Sequence, residues 1–127
     1  MADGAQVLVV DRCEETREVL RTVLQRRGMQ LLATGLPQRG LELARQHHPV
    51  LIVVDLEIAD GASASVGPLL EESRQSATPV VLLGRARRDG AAAPAGERLA
   101  KPYHYGSLIR KIEQLLNRPP RTVARSA

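Results

Sequence analysis

At 127 residues the chain is one domain, long enough to bury a core, and with 43% hydrophobic residues, no Trp, no Phe and only Tyr103 and Tyr105, that core is expected to be aliphatic. The single cysteine, Cys13, excludes an internal disulfide and a multi-cysteine metal site; no apolar run reaches membrane-spanning length, and Met1-Ala2-Asp3-Gly4 is not a charged and then apolar leader, so a cytoplasmic protein is expected. The net charge of +4 is uneven: Arg118, Arg121 and Arg125 lie in the last ten residues, which hold no acid, and without those three the balance is +1, so composition does not demand a nucleic-acid partner.

In chain order, residues 6–10 are a short β-branched apolar run that predicts a buried strand. Glu14 to Arg27 carries Val19, Leu20, Val23 and Leu24 on one face, with acids in the first turn, Arg26 and Arg27 in the last and Gly28 as the stop, which predicts an amphipathic helix. Met29 to Thr34 reads as a weaker strand, and Pro37 opens a helix that carries Leu41 and Ala44 and ends before Pro49. Residues 50–54 are the second strong strand. A small-residue loop, Glu57 to Ser65, precedes a short helix around Val66 to Gln75.

Pro79 opens a third apolar run, Val80 to Leu83, and the last amphipathic helix runs from Ser107 to Asn117. Between them Arg85 to Arg98, with Pro94, glycines and no apolar stripe, supports at most a short helix. The segment 118–127 is expected to be a disordered basic tail behind a domain spanning 5–117. Alternating strands and helices imply a parallel sheet covered on both faces.

Two of the strands run into an acid, Val7-Leu8-Val9-Val10 into Asp11 and Leu51-Ile52-Val53-Val54 into Asp55, and Leu99-Ala100 runs into Lys101. Strands of an open parallel sheet bring their carboxyl ends to one crevice, so two carboxylates and an ammonium are expected to meet there. These residues resemble a response-regulator receiver domain, the phosphorylatable module of two-component signalling. The resemblance covers Val7 to about Asn117 and rests on Val-Leu-Val-Val-Asp11 with Arg17 six residues on, on Asp55-Leu-Glu-Ile-Ala-Asp-Gly61, and on Lys101-Pro102.

It implies a flavodoxin-like, doubly wound five-stranded parallel sheet with helices on both faces, here with the fourth helix short or disordered. It implies Asp55 as phosphoacceptor, Asp11 and Asp55 with the backbone carbonyl of Glu57 as ligands of a Mg²⁺ ion, Lys101 on a phosphoryl oxygen, and Pro102 following through a cis peptide. The implied partners are a histidine kinase or phosphotransfer protein and a downstream protein target.

The chain departs from that family pattern at named positions. Arg12 stands where a second acid is expected, Gly84 where a Ser or Thr is expected, Arg98 at the aromatic switch position and Ala59 at the usual proline. Exchanging an acid for a guanidinium weakens the Mg²⁺ site or abolishes it, and Gly84 lacks the hydroxyl for a new phosphoryl group. The expectation is therefore a divergent receiver in which phosphorylation is slow, metal-poor or absent.

Blander readings stand beside these. Asp11 and Asp55 would be ordinary strand-end acids capping helices, Arg12 a solvated side chain, His47 and His48 groups that satisfy helix-end carbonyls, and Cys13 a packing or capping residue. Arg17 and Arg21 are routine on a polar helix face. Two further functional classes remain: a phosphorylation-independent pseudo-receiver acting as a protein–protein interaction module, and a nucleic-acid binder, which the lack of a helix-turn-helix and of stacking aromatics disfavours. No enzymatic turnover and no membrane partner are expected; the oligomeric state is left open.

Overall fold

The computed structural model describes residues 5–55, 63–84, 97–99 and 104–117, with 63–65 and 97–99 described by their backbone alone. The elements are β1 (Gln6–Val10), α1 (Glu14–Arg26), β2 (Gln30–Thr34), α2 (Pro37–His47), β3 (Leu51–Asp55), α3 (Ser63–Gln75), β4 (Val80–Leu83), β5 (Glu97–Leu99) and α4 (Tyr105–Leu116). The strands form one parallel sheet in the order β2-β1-β3-β4-β5. This is the flavodoxin-like α/β arrangement implied by the sequence.

The central strands are apolar throughout because helices cover both of their faces. Leu8, Val10, Ile52, Val54, Val80 and Leu82 pack with Leu43 and Ala44 of α2 and Val66 and Leu69 of α3. On the other face Val7, Val9, Leu51, Val53, Val81 and Leu83 pack with Leu20 and Leu24 of α1 and Leu108, Ile112 and Leu115 of α4. Both layers are aliphatic. The edge strand β2 buries only part of itself, which is why its sequence signal is weak. Among the described residues no helix is long and apolar enough to cross a membrane.

Several boundaries differ from the sequence expectation. β3 is shifted by one residue: Val50 is 42% exposed, and Asp55 completes the strand opposite Leu83. α3 begins at Ser63 and runs through Gly67-Pro68, both helix breakers, because Val66 and Leu69 on either side are buried in the core. α4 begins at Tyr105, two residues early, with the His104 carbonyl accepting the Ser107 and Leu108 N–H groups. Arg27 is the C-cap of α1 and Gly28, at φ 80°, makes the stop. At the end of α2 it is the backbone N–H of His48, in the left-handed conformation, that donates to the Ala44 carbonyl. The expectations for loop residues 57–62, for 85–96 and for the 118–127 tail lie outside the described residues.

α2 lies close on β1 because Gly40 has no side chain: a Cβ there would stand 2.7 Å from Val10 Cγ2. Gly40→Ala therefore gains up to about 1 kcal/mol of helix propensity but is expected to destabilise overall, since overpacking costs about 1–3 kcal/mol. Gly106→Ala, with nothing within 4 Å of the new Cβ, is expected to be neutral or mildly stabilising. Urea unfolding of both variants checks the pair; a Gly40→Ala as stable as wild type would contradict the close approach.

Candidate functional site

The strand order reverses at β1, with β2 on one side of it and β3, β4 and β5 on the other. In open parallel sheets the carboxyl ends of the strands at such a reversal form the ligand crevice. Val10 pairs with Val54, so Asp11 and Asp55 are the next residues on neighbouring strands, which lie about 4.8 Å apart. Both acids are buried, at 1% and 4% exposure. Leu83 pairs with Asp55 and with Leu99, so Gly84 follows the position opposite Asp55 at the same edge.

The chain leaves β1 through a turn that its own acid holds. The Asp11 N–H donates to the Thr34 carbonyl at 3.0 Å, and Asp11 Oδ1 accepts the Cys13 N–H at 2.8 Å. The carboxylate thus orders the approach to α1 without capping it, since the N-cap position is Cys13. Cys13 takes the capping position expected of it through its backbone, its carbonyl accepting the Arg17 N–H, while its side chain is exposed and makes no cap bond. Arg12 is exposed, and Gly35 lies against its backbone, with a Cβ on Gly35 only 3.5 Å from Arg12 Cα.

The structure places Asp11 and Asp55 side by side at the ends of β1 and β3, with Gly84 one residue past the β4 position opposite Asp55. Lys101, Pro102, Glu57 and Ala59 lie outside the described residues. Arg98 belongs to β5, paired with Leu82. One residue next to the site goes unread in the sequence, and another is placed differently from its reading. Thr16, only 4% exposed, shares a 3.2 Å hydrogen bond with the Tyr105 hydroxyl and so ties the first turn of α1 to the first turn of α4. Arg17, read as a routine surface residue, is half-buried, and its Nε is enclosed with no hydrogen-bond partner among the described residues. The rarity of tyrosine in the chain is the one available signal for the first; for the second it is the six-residue spacing from Asp11.

Among the described residues no group of three or more His, Cys, Asp or Glu side chains is placed to hold a metal. Asp11 and Asp55 are two hard oxygen donors side by side. Mg²⁺ accepts one or two carboxylates when water and phosphate oxygens complete its octahedron, so the pair fits this ion in a minimal form, with Arg12 the next residue in the chain after Asp11.

No family model matches the chain. It is 34% identical over 124 residues to the KDP operon transcriptional regulatory protein KdpE of Escherichia coli (strain K12), across 93% of this chain and 54% of that protein. It is 25% identical over 122 residues to the transcriptional regulatory protein SrrA of Staphylococcus aureus, across 92% of this chain and 50% of that one. The chemotaxis protein CheY4 of Vibrio cholerae superposes with a TM-score of 0.71 at 21% identity, covering 88% of this chain and 98% of that one. A two-component response regulator from Clostridium difficile superposes at 0.73 and 16% identity, covering 90% and 97%. The chain is a response-regulator receiver domain. It spans about half the length of the curated relatives it matches.

In this receiver domain α1 and α4 are joined at both ends, by Thr16–Tyr105 near the site and by the Arg27–Glu113 ion pair at the far end. The ion pair is partly solvated and contributes little. The partly buried hydroxyl pair carries more, and the double-mutant cycle of Thr16→Val with Tyr105→Phe is expected to return a coupling of about 0.5–1.5 kcal/mol by urea unfolding. A coupling near zero would mean that the two hydroxyls are not bonded in solution.

Proposed function

We propose that this receiver domain accepts a phosphoryl group on Asp55 from a histidine kinase or phosphotransfer protein, slowly and with a weakened metal requirement, and passes the signal on by binding a protein target. The reading is supported by one observation above the others: Asp55 ends β3 as a buried carboxylate beside Asp11, in the crevice where the strand order reverses.

In the step, a carboxylate oxygen of Asp55 attacks phosphorus, the P–N bond of a phosphohistidine breaks, and the imidazole leaves with its electron pair and takes up a proton. The product is an acyl phosphate. An anionic nucleophile and an anionic phosphoryl group repel, so positive charge has to lie between them. Lys101, two residues past the end of β5, is the cation assigned to the phosphoryl oxygens. Mg²⁺, held by Asp11 and Asp55, supplies further positive charge when bound. Arg12, where a further acid would strengthen that site, lowers its affinity and contributes a guanidinium of its own.

The departures at Arg12 and Gly84 support a second reading, a pseudo-receiver that keeps the fold and signals by protein binding without phosphorylation.

The deciding experiment incubates the protein with acetyl phosphate or phosphoramidate, with and without Mg²⁺, and follows intact mass. A slow, partial phosphoryl adduct that is lost in Asp55→Asn is expected. Arg12→Asp is expected to raise Mg²⁺ affinity roughly tenfold or more, because it replaces a like charge with an opposite one beside the ion. Rapid, stoichiometric labelling of the wild type in Mg²⁺ would overturn the divergent assignment. No adduct under any condition would replace phosphoryl acceptance by the second reading.

A further inference from the structure

Four described residues outside the regular elements have positive φ, and they fall into two groups. His48 at 48° and Ala77 at 57° occupy the left-handed helical well, which ordinary residues visit at modest cost. Gly28 at 80° and Gly84 at 120° lie beyond it. Gly28 ends a helix, a common use of glycine. Gly84 ends a buried strand inside the site: it is itself buried, and it follows Leu83, which is fully buried and paired with Asp55. At φ near 120° a Cβ collides with the flanking backbone, so the conformation is closed to side-chain-bearing residues.

We infer that the end of β4 is a turn that only glycine can make, so that the site is closed at this position to a hydroxyl side chain and β4 does not read the phosphorylation state of Asp55. This rests on the assignment of Asp55 as acceptor, but its structural half stands alone. A threonine at position 84 has to rotate the backbone before its hydroxyl can face Asp55. That rotation pulls on Leu83, which is fixed on one side by β3, on the other by β5, and in the core by Val53, Val81 and Leu108. The missing hydroxyl is thus part of a changed strand end and not a single lost group. Recognition of a phosphoryl group then falls to cations.

Three variants test this: Gly84→Ala, Gly84→Thr, and Gly106→Ala as a glycine replaced in open space at ordinary φ. Urea unfolding is expected to show the folding equilibrium constant falling roughly ten- to a hundredfold for both Gly84 variants, and not for Gly106→Ala. Crowding alone would spare alanine and penalise threonine; a backbone restriction penalises alanine already. In phosphoramidate with Mg²⁺, under conditions where each variant is folded, Gly84→Thr is expected to give no more adduct, and no longer-lived adduct, than the wild type.

A Gly84→Ala as stable as wild type overturns the inference. So does a Gly84→Thr that raises adduct yield or lifetime. If neither wild type nor variant takes a phosphoryl group, the acceptor assignment of Asp55 fails, and the unfolding comparison still decides whether the strand end is committed to glycine.

Discussion

The pairing of β1 with β3 is the constraint on which the rest depends. Both strands are buried on both faces between two aliphatic layers, and a slip of one residue would exchange those layers, setting Val7 and Val9 where Leu8 and Val10 belong. The helices enforce the register through shape as well as apolarity, since Leu20, Leu24 and Leu108 fill one side and Gly40 lets α2 close on Val10 on the other. With Val10 held opposite Val54, the acids that follow have no freedom to part. The site is a by-product of core packing, and two carboxylates stay buried side by side because the strands that carry them are fixed between two buried aliphatic layers.

Where the sequence is read successfully, it is where burial is total and local pattern agrees with it. The runs at 6–10 and 80–83 and the stripe Leu20/Leu24 have one physical explanation each, and the structure uses it. Asp11 and Asp55 were legible because a strand's apolar run ends sharply at a charge. The misreadings cluster where tertiary packing overrides local preference. α3 starts at Ser63 rather than around Val66, inside what reads as a small-residue loop, and the anchored Val66 and Leu69 carry it on through Gly67-Pro68. Gly106 hides the start of α4, which the Tyr105–Thr16 bond across 89 residues helps to hold. Such a bond has no periodicity and no neighbouring residue that announces it.

The same division separates what could be read of the site from what could not. That Gly84 lacks a hydroxyl is evident from its letter alone, but its φ of 120° is not, and the backbone changes the meaning of the letter. A missing side chain can be returned by one substitution; a strand end that has taken a glycine-only conformation resists it, because the strain passes directly to Leu83 and from there to both neighbouring strands. Cys13 shows the converse. A packing or capping residue near the helix start is legible in the sequence, but not that the backbone does the work: Cys13 is the N-cap and its N–H donates to Asp11, with the side chain left exposed.

The two departures next to the acids act in one direction. Arg12 is exposed on a backbone held by the Asp11 turn and closely backed by Gly35, and in the proposed function its guanidinium adds charge without coordinating an ion. Gly84 withdraws a polar group from the opposite side of Asp55. If Asp55 accepts a phosphoryl group as proposed, such a site would rely on flexible side-chain cations more than on a fixed metal and a fixed hydroxyl, and flexible cations can hold a phosphoryl group without relaying its presence into the packed strands.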